Sequence, residues 1–178
     1  MIANVWEGRM MGRFSGIAGA VAMLAAVSST VFAASPAKTV GFVEPVLIQP
    51  ENIAVRAKVD TGADHSSIDT SDWETFERDG QTWVRFTLRL DGGEQKPMER
   101  PLHRMATIIR AGAGDHQRPI ILMTLCVGDV AREVQVNLAK RPRLTYRMLL
   151  GASFLSGAYL VDVSKTDMTQ PSCAGVKP

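Results

Sequence analysis

Two cysteines in 178 residues exclude a disulfide-dense scaffold and a four-cysteine zinc module. Histidine is almost as scarce. His65, His103 and His116 stand far apart with no His-Glu-x-x-His among them, so the helical zinc site of a metalloprotease is missing. No Gly-x-x-x-x-Gly-Lys-Ser/Thr occurs either, which removes the common phosphate-cradling loop. Lys and Arg total 20 against 18 Asp and Glu, a net charge of +2, so the chain has neither the basic stripe of a nucleic-acid binder nor an acidic tail. No metal, cofactor or nucleic-acid partner is expected. What is present is ordinary globular composition, 46% hydrophobic and 21% charged.

Arg9 and Arg13 precede an apolar run from Ile17 to Val27, which continues through Phe32 into Ala33-Ala34-Ser35-Pro36. A basic start, a short apolar middle and a small-residue exit predict a secretory signal peptide over residues 1–33, cut after Ala33. Val31 and Ala33 would then fill the two small-side-chain positions before the cut. The alternative is an uncleaved anchor in the inner membrane, although the apolar stretch falls just short of the ~18 residues that span a bilayer. Cleavage leaves residues 34–178 as one domain, periplasmic or secreted. In that compartment Cys126 and Cys173 either bond and pin the C-terminal tail or stay apart. Cys126 sits in an apolar strand, where a free thiol packs as a small hydrophobe, and this favours the unpaired state.

After the leader there is almost no 3.6-residue periodicity, so the fold is expected to be all-β. Residues 40–48 read as a strand broken by Pro45, and 53–59 as a strand with Ile53, Val55, Ala57 and Val59 on one face. Residues 82–90 alternate cleanly and end at Asp91-Gly92-Gly93, a turn. Further strands are expected over 104–110, 119–127, 132–138, 148–151 and 158–163, with one helical turn from Ala152 to Leu155. Residues after Ser164 read as a polar tail. Trp83 and Phe86 read as strand or core packing.

Asp60-Thr61-Gly62-Ala63 closes one of these strands and precedes Ser66-Ser67-Ile68; far downstream comes Leu149-Leu150-Gly151. Asp60 would present a carboxylate on a loop. Gly62, without a Cβ, would let the backbone turn sharply and aim an N–H at that carboxylate. This combination resembles one half of a retroviral-type (retropepsin-like) aspartic protease. With Val40-Gly41, Ala57-Lys58-Val59, Trp83-Val84-Arg85-Phe86, Arg118-Pro119, Tyr146-Arg147-Met148 and Val161-Asp162, the chain is similar, over about residues 40–165, to a bacterial retropepsin-like family. That family often carries the name ATP-dependent zinc protease and accompanies RimK-type glutamate ligases.

The resemblance implies a compact closed barrel, with Asp60, Thr61 and Gly62 as catalytic residues and Ala63, Leu149, Leu150 and Gly151 as their support. Thr61 would hydrogen-bond across to the opposite loop. Aspartic proteolysis needs two carboxylates sharing one proton, and only one Asp-Thr-Gly is present, so a homodimer is required. A hairpin between residues 89 and 118 is the expected flap over a peptide or protein substrate. The basic run Lys140-Arg141-Pro142-Arg143, with Arg147, reads first as a solvated loop; the functional alternative is that Arg141, Arg143 and Arg147 bind an acidic peptide. Asp60, Asp64 and His65 read as a solvated loop in preference to a metal site.

Relatives of this type carry a basic residue after Asp-Thr-Gly-Ala and an arginine after Leu-Leu-Gly. This chain has Asp64 and Ala152 there. The alternative to an endopeptidase is therefore a non-catalytic peptide-binding or regulatory module on the same fold.

Overall fold

A computed structural model describes residues 37–110, 113–140 and 145–173, with the backbone alone described for 108–110 and 113–115. The expected leader over 1–33, the cut after Ala33, and Arg141 and Arg143 lie outside the described residues.

The described chain is built of β1 (Lys38–Gly41), β2 (Val43–Gln49), β3 (Ile53–Asp60), β4 (Ser66–Arg78), β5 (Gln81–Arg89), β6 (Gln95–Pro101), β7 (Arg104–Arg110), β8 (Ala113–Val127), β9 (Val130–Ala139), β10 (Met148–Gly151), the short helix α1 (Ala152–Leu155) and β11 (Tyr159–Asp162). It is all-β, as the alternating sequence requires. Pro45 stays within β2 opposite Arg56, and the expected first strand divides at Phe42 instead.

Strand pairing follows the path β10–β3–β2–β8–β9–β4, and β4 returns to pair with β10, so the hydrogen-bonded path closes on itself. The alternating faces fill its interior. Val55, Ala57 and Val59 of β3 meet Ile68, Leu125, Val136, Met148 and Leu150, all buried. Each such large aliphatic side chain contributes roughly 1.5–3 kcal/mol by leaving water.

Two strands were not legible beforehand. β4 is long and shared: Ser66–Asp69 pair with β9, and after a bulge between Thr70 and Trp73 its far half pairs with β5. β6 carries Pro97 and Pro101 and ends the sheet beside β5, a place where missing N–H donors are tolerated. On the outer face of this arm Arg78 lies over Trp83 at 4.5 Å and, with Arg85, brackets Glu99. Hydrogen bonds from Arg78 and then Arg85 hold Glu99 below the usual carboxylate range.

Residues 164–173 are a strap and not the loose polar tail that their composition suggests. Phe42 N donates to Lys165 O (2.7 Å), Asp167 N to Val43 O (2.8 Å) and Ser172 N to Gly128 O (2.6 Å). The fully buried Glu44 accepts from Gly41 N, Met168 N, Thr169 N and Thr169 Oγ1, so its carboxylate is satisfied by four neutral donors. Burial pushes the Tyr159 hydroxyl up to about 12, and it stays protonated to donate to Val127 O (2.7 Å).

The strap also corrects the reading of the cysteines. Cys126 is buried in β8 as expected, yet Cys173 is carried back to it and the two are bonded, with Cα atoms 6.1 Å apart. The bond closes a span of 47 residues, for which loop-closure entropy gives roughly 2–4 kcal/mol. The Cys126→Ser, Cys173→Ser variant should therefore unfold at clearly lower denaturant than the oxidised wild type. Equal midpoints for the two would show that the strap holds without its bond.

Candidate active site

Asp60 is the last residue of β3 and lies in register with Gly151, the last of β10. β10 runs parallel to β3 and antiparallel to the start of β4, pairing Met148 with Ile68 and Leu149 with Ser67. The strand that leads into the Asp60 loop and the strand that leaves it are thus held apart by one short apolar strand. Met148 and Leu150 are fully buried beneath the loop, while Leu149 is half-buried.

Gly151 makes that closeness possible. A Cβ on it would stand 2.5 Å from the His65 carbonyl carbon, 2.7 Å from its oxygen and 2.8 Å from Ser66 N. Gly151 N donates to the buried Ser66 hydroxyl (3.1 Å). The next two residues continue the brace, Ala152 N to Ala63 O (2.7 Å) and Ser153 N to Asp64 O (3.0 Å). Ala152 and Asp64, the two departures in sequence, therefore hold the loop through their backbones. The basic side chains that relatives carry at these two positions are not needed for its shape.

The Asp60 carboxylate accepts a hydrogen bond from Gly62 N (3.1 Å), and Ala63 N reaches Asp60 O (3.3 Å). The N–H aimed at the carboxylate is as expected. The reason given for glycine needs correction, because a Cβ on Gly62 would meet only Asp60 Oδ1, at an ordinary 3.5 Å, and no left-handed φ is involved. Within the chain, Gly62 is a matter of open space and not of conformation. Asp60 is half-buried; Thr61, Gly62 and Asp64 are exposed. Among the described residues no Lys or Arg forms an ion pair with Asp60, and Lys58, two residues before it, lies 5.0 Å over the Phe42 ring. A hollow of about 350 Å³ between Pro50, Leu102 and Leu122 includes no residue of the Asp60 loop. The half-buried carboxylate stands beside the exposed Thr61 and Gly62.

Arg147 is placed differently from Arg141 and Arg143, with which sequence had grouped it. Its guanidinium donates to Asp69 Oδ2 (2.7 Å), and its carbonyl accepts from Asp69 N (2.7 Å). Asp69 is fully buried, so the pair fastens the segment before β10 to β4. Arg104 is the residue that sequence reasoning missed. It begins β7 and its Nη2 lies 3.2 Å from His65 Nε2, at the end of the Asp60 loop.

Comparison with known proteins gives the family. The chain is 33% identical over 116 residues to a Shewanella pealeana protein named probable alpha-L-glutamate ligase, and 34% identical over 116 residues to the one from Shewanella halifaxensis. Each match covers 64% of this chain but only 25% of the relative, so the chain spans about a quarter of the length of these proteins. A crystal structure of a Legionella pneumophila protein of unknown function matches with a TM-score of 0.64 at 28% identity, covering 75% of this chain and 98% of that one. Residues 39–172 match the family described as RimB-like, retropepsin-like aspartic endopeptidase RimB. The chain belongs to the RimB-like, retropepsin-like family.

Proposed function

We propose that the chain is an aspartic endopeptidase that works as a homodimer of closed, retropepsin-type barrels, with Asp60 of each copy at the twofold axis. The observation that carries this reading is Asp60 itself: one half-buried carboxylate, oriented by Gly62 N, braced by β10 and flanked by the exposed Thr61 and Gly62, in a chain with a single Asp-Thr-Gly. Two such carboxylates brought together cannot both ionise, so they hold one proton between them. The ionised one takes a proton from a water, whose oxygen attacks the scissile carbonyl carbon while the protonated one gives its proton to the carbonyl oxygen. Collapse of the tetrahedral species breaks the C–N bond, and the amine leaves with a proton from the dyad. Thr61 would fasten one loop to the other across the axis.

The substrate is a peptide or protein lying between the copies. Arg141 and Arg143 favour an acidic one, and the β7–β8 hairpin, narrower than the 89–118 span first considered, would cover it. The leader directs the chain to the periplasm. Asp64 and Ala152 support a second reading, a peptide-binding module that has lost turnover.

The test is digestion of a mixed peptide library by the full-length protein, with EDTA, between about pH 4 and 7. Asp60→Asn should lower the cleavage rate about 10²–10⁴-fold, the scale of a lost general acid–base pair. Cleavage equal in both, or none by wild type despite a dimer, would overturn the endopeptidase reading and leave the binding module.

A further inference from the structure

Arg104 stands where two parts of the molecule meet. It is the first residue of β7, which pairs only with β8 among the described residues, and so lies at the base of the β7–β8 hairpin. Its guanidinium forks onto one acceptor, Nε and Nη2 lying 3.2 and 3.0 Å from Gln135 Oε1 on β9. The same Nη2 reaches His65 Nε2 at 3.2 Å. His65 is the last residue before β4, and its carbonyl is the group against which Gly151 packs. One side chain thus joins the hairpin, β9 and the Asp60 loop.

The chemistry of this contact fixes a proton. Arginine has donors and no acceptor, so His65 Nε2 must offer its lone pair. A histidine that accepts at Nε2 is neutral and carries its hydrogen on Nδ1. His65 Nδ1 is buried and has no hydrogen-bond partner among the described residues. A neutral ring left to itself would not place its donor there, where no acceptor receives it. The Arg104 contact is what holds it so.

We propose that Arg104 is a positioning residue, which ties the β7–β8 hairpin to the loop carrying Asp60 through a neutral His65 protonated at Nδ1. This rests on the aspartic-protease reading. The tie sets where the hairpin base stands relative to the carboxylate. Loss of Arg104 would loosen that relation while Asp60, Gly62 and the β10 brace keep their own bonds.

Nitrogen NMR of the histidine-labelled full-length chain at neutral pH tests the contact directly, with His103→Gln and His116→Gln variants assigning the three rings. Wild type should show His65 as the Nδ1–H tautomer, and Arg104→Met should show Nε2–H appearing. Amide exchange over 104–120 should quicken in that variant while β3 and β10 stay protected. In the peptide assay kcat should fall about tenfold, one charge-assisted hydrogen bond's worth of positioning, with KM less affected; Arg104→Lys should restore part of it. An Nε2–H tautomer in wild type, or a kcat unchanged in Arg104→Met, overturns the inference. Absence of Asp60-dependent cleavage by wild type overturns instead the protease reading on which the catalytic arm depends, and the tautomer and exchange results still decide whether the tie exists.

Discussion

Arg147→Ala is expected to destabilise the protein by about 3 kcal/mol, at the low end of the cost of breaking a buried ion pair. The low end applies because the Arg147 side chain keeps 27% of its exposure while that of Asp69 has none. The loss has two parts. The buried Asp69 carboxylate gives up its 2.7 Å bond to the Arg147 guanidinium, and the chain just before β10 loses its fastening to β4. Denaturant unfolding should show a lower midpoint at an unchanged slope. The double variant Asp69→Asn, Arg147→Met should recover part of the stability, since it removes the buried charge together with the guanidinium that faces it. Were Arg147 a substrate contact, the pattern would invert: KM for an acidic peptide would rise and the unfolding midpoint would stay put.

Arg147 also shows how far the sequence could be read. A basic run at 140–147 says only that positive charge gathers there, because charge identity carries no information about which side chain turns inward. What sends Arg147 inward is Asp69, distant in sequence and buried in the first half of β4. That half, Ser66-Ser67-Ile68-Asp69-Thr70, is polar in composition yet all buried. Its hydroxyls and carboxylate are satisfied by groups such as Gly151 N and Arg147, which arrive only once the fold has closed. Period-2 reading therefore found β3 and β5, whose apolar faces alternate, and missed β4, whose first half is buried on both faces with serine, aspartate and threonine around Ile68. β6 was hidden differently: with Met98 its one buried residue and two prolines, nothing local marks it as a strand. β5 supplies the pattern, through seven register pairs from Trp83–Pro101 to Arg89–Gln95.

The candidate site was legible where local chemistry sufficed and opaque where tertiary contacts decide. The strand ending at Asp60 and the apolar strand at 148–151 could be read as local signals; that one supports the other was implied only by the resemblance to the retropepsin-like family. The Cys126–Cys173 bond was misread because the polar residues after Ser164 hide a strap whose partners, Glu44 and Gly128, lie far upstream. Arg104 carried no signal at all, since an arginine opening a strand is ordinary until His65 is placed beside it.

The second large effect is expected at Gly151. Alanine there needs space already filled by the backbone of His65 and Ser66, with approaches of 2.5 to 2.8 Å, and backbone cannot swing aside as a flexible side chain would. Overpacking of this kind costs about 3 kcal/mol where the neighbours are rigid. The strain falls on the link between Asp60 and β4, so the change should also abolish the proposed Asp60-dependent cleavage in molecules that remain folded at low temperature. His65 would be pushed with its carbonyl, and the Arg104 contact should weaken in the same variant. Gly62→Ala provides the contrast, as its Cβ meets nothing closer than 3.5 Å within the protomer and stability should stay within about 0.5 kcal/mol of wild type. If Gly62→Ala nonetheless destroys cleavage, the space it fills is needed by something outside the protomer, a substrate or the second copy. Equal stability of Gly151→Ala and wild type would mean that the Asp60 loop can shift away from β10, and that the brace is not what orients the carboxylate.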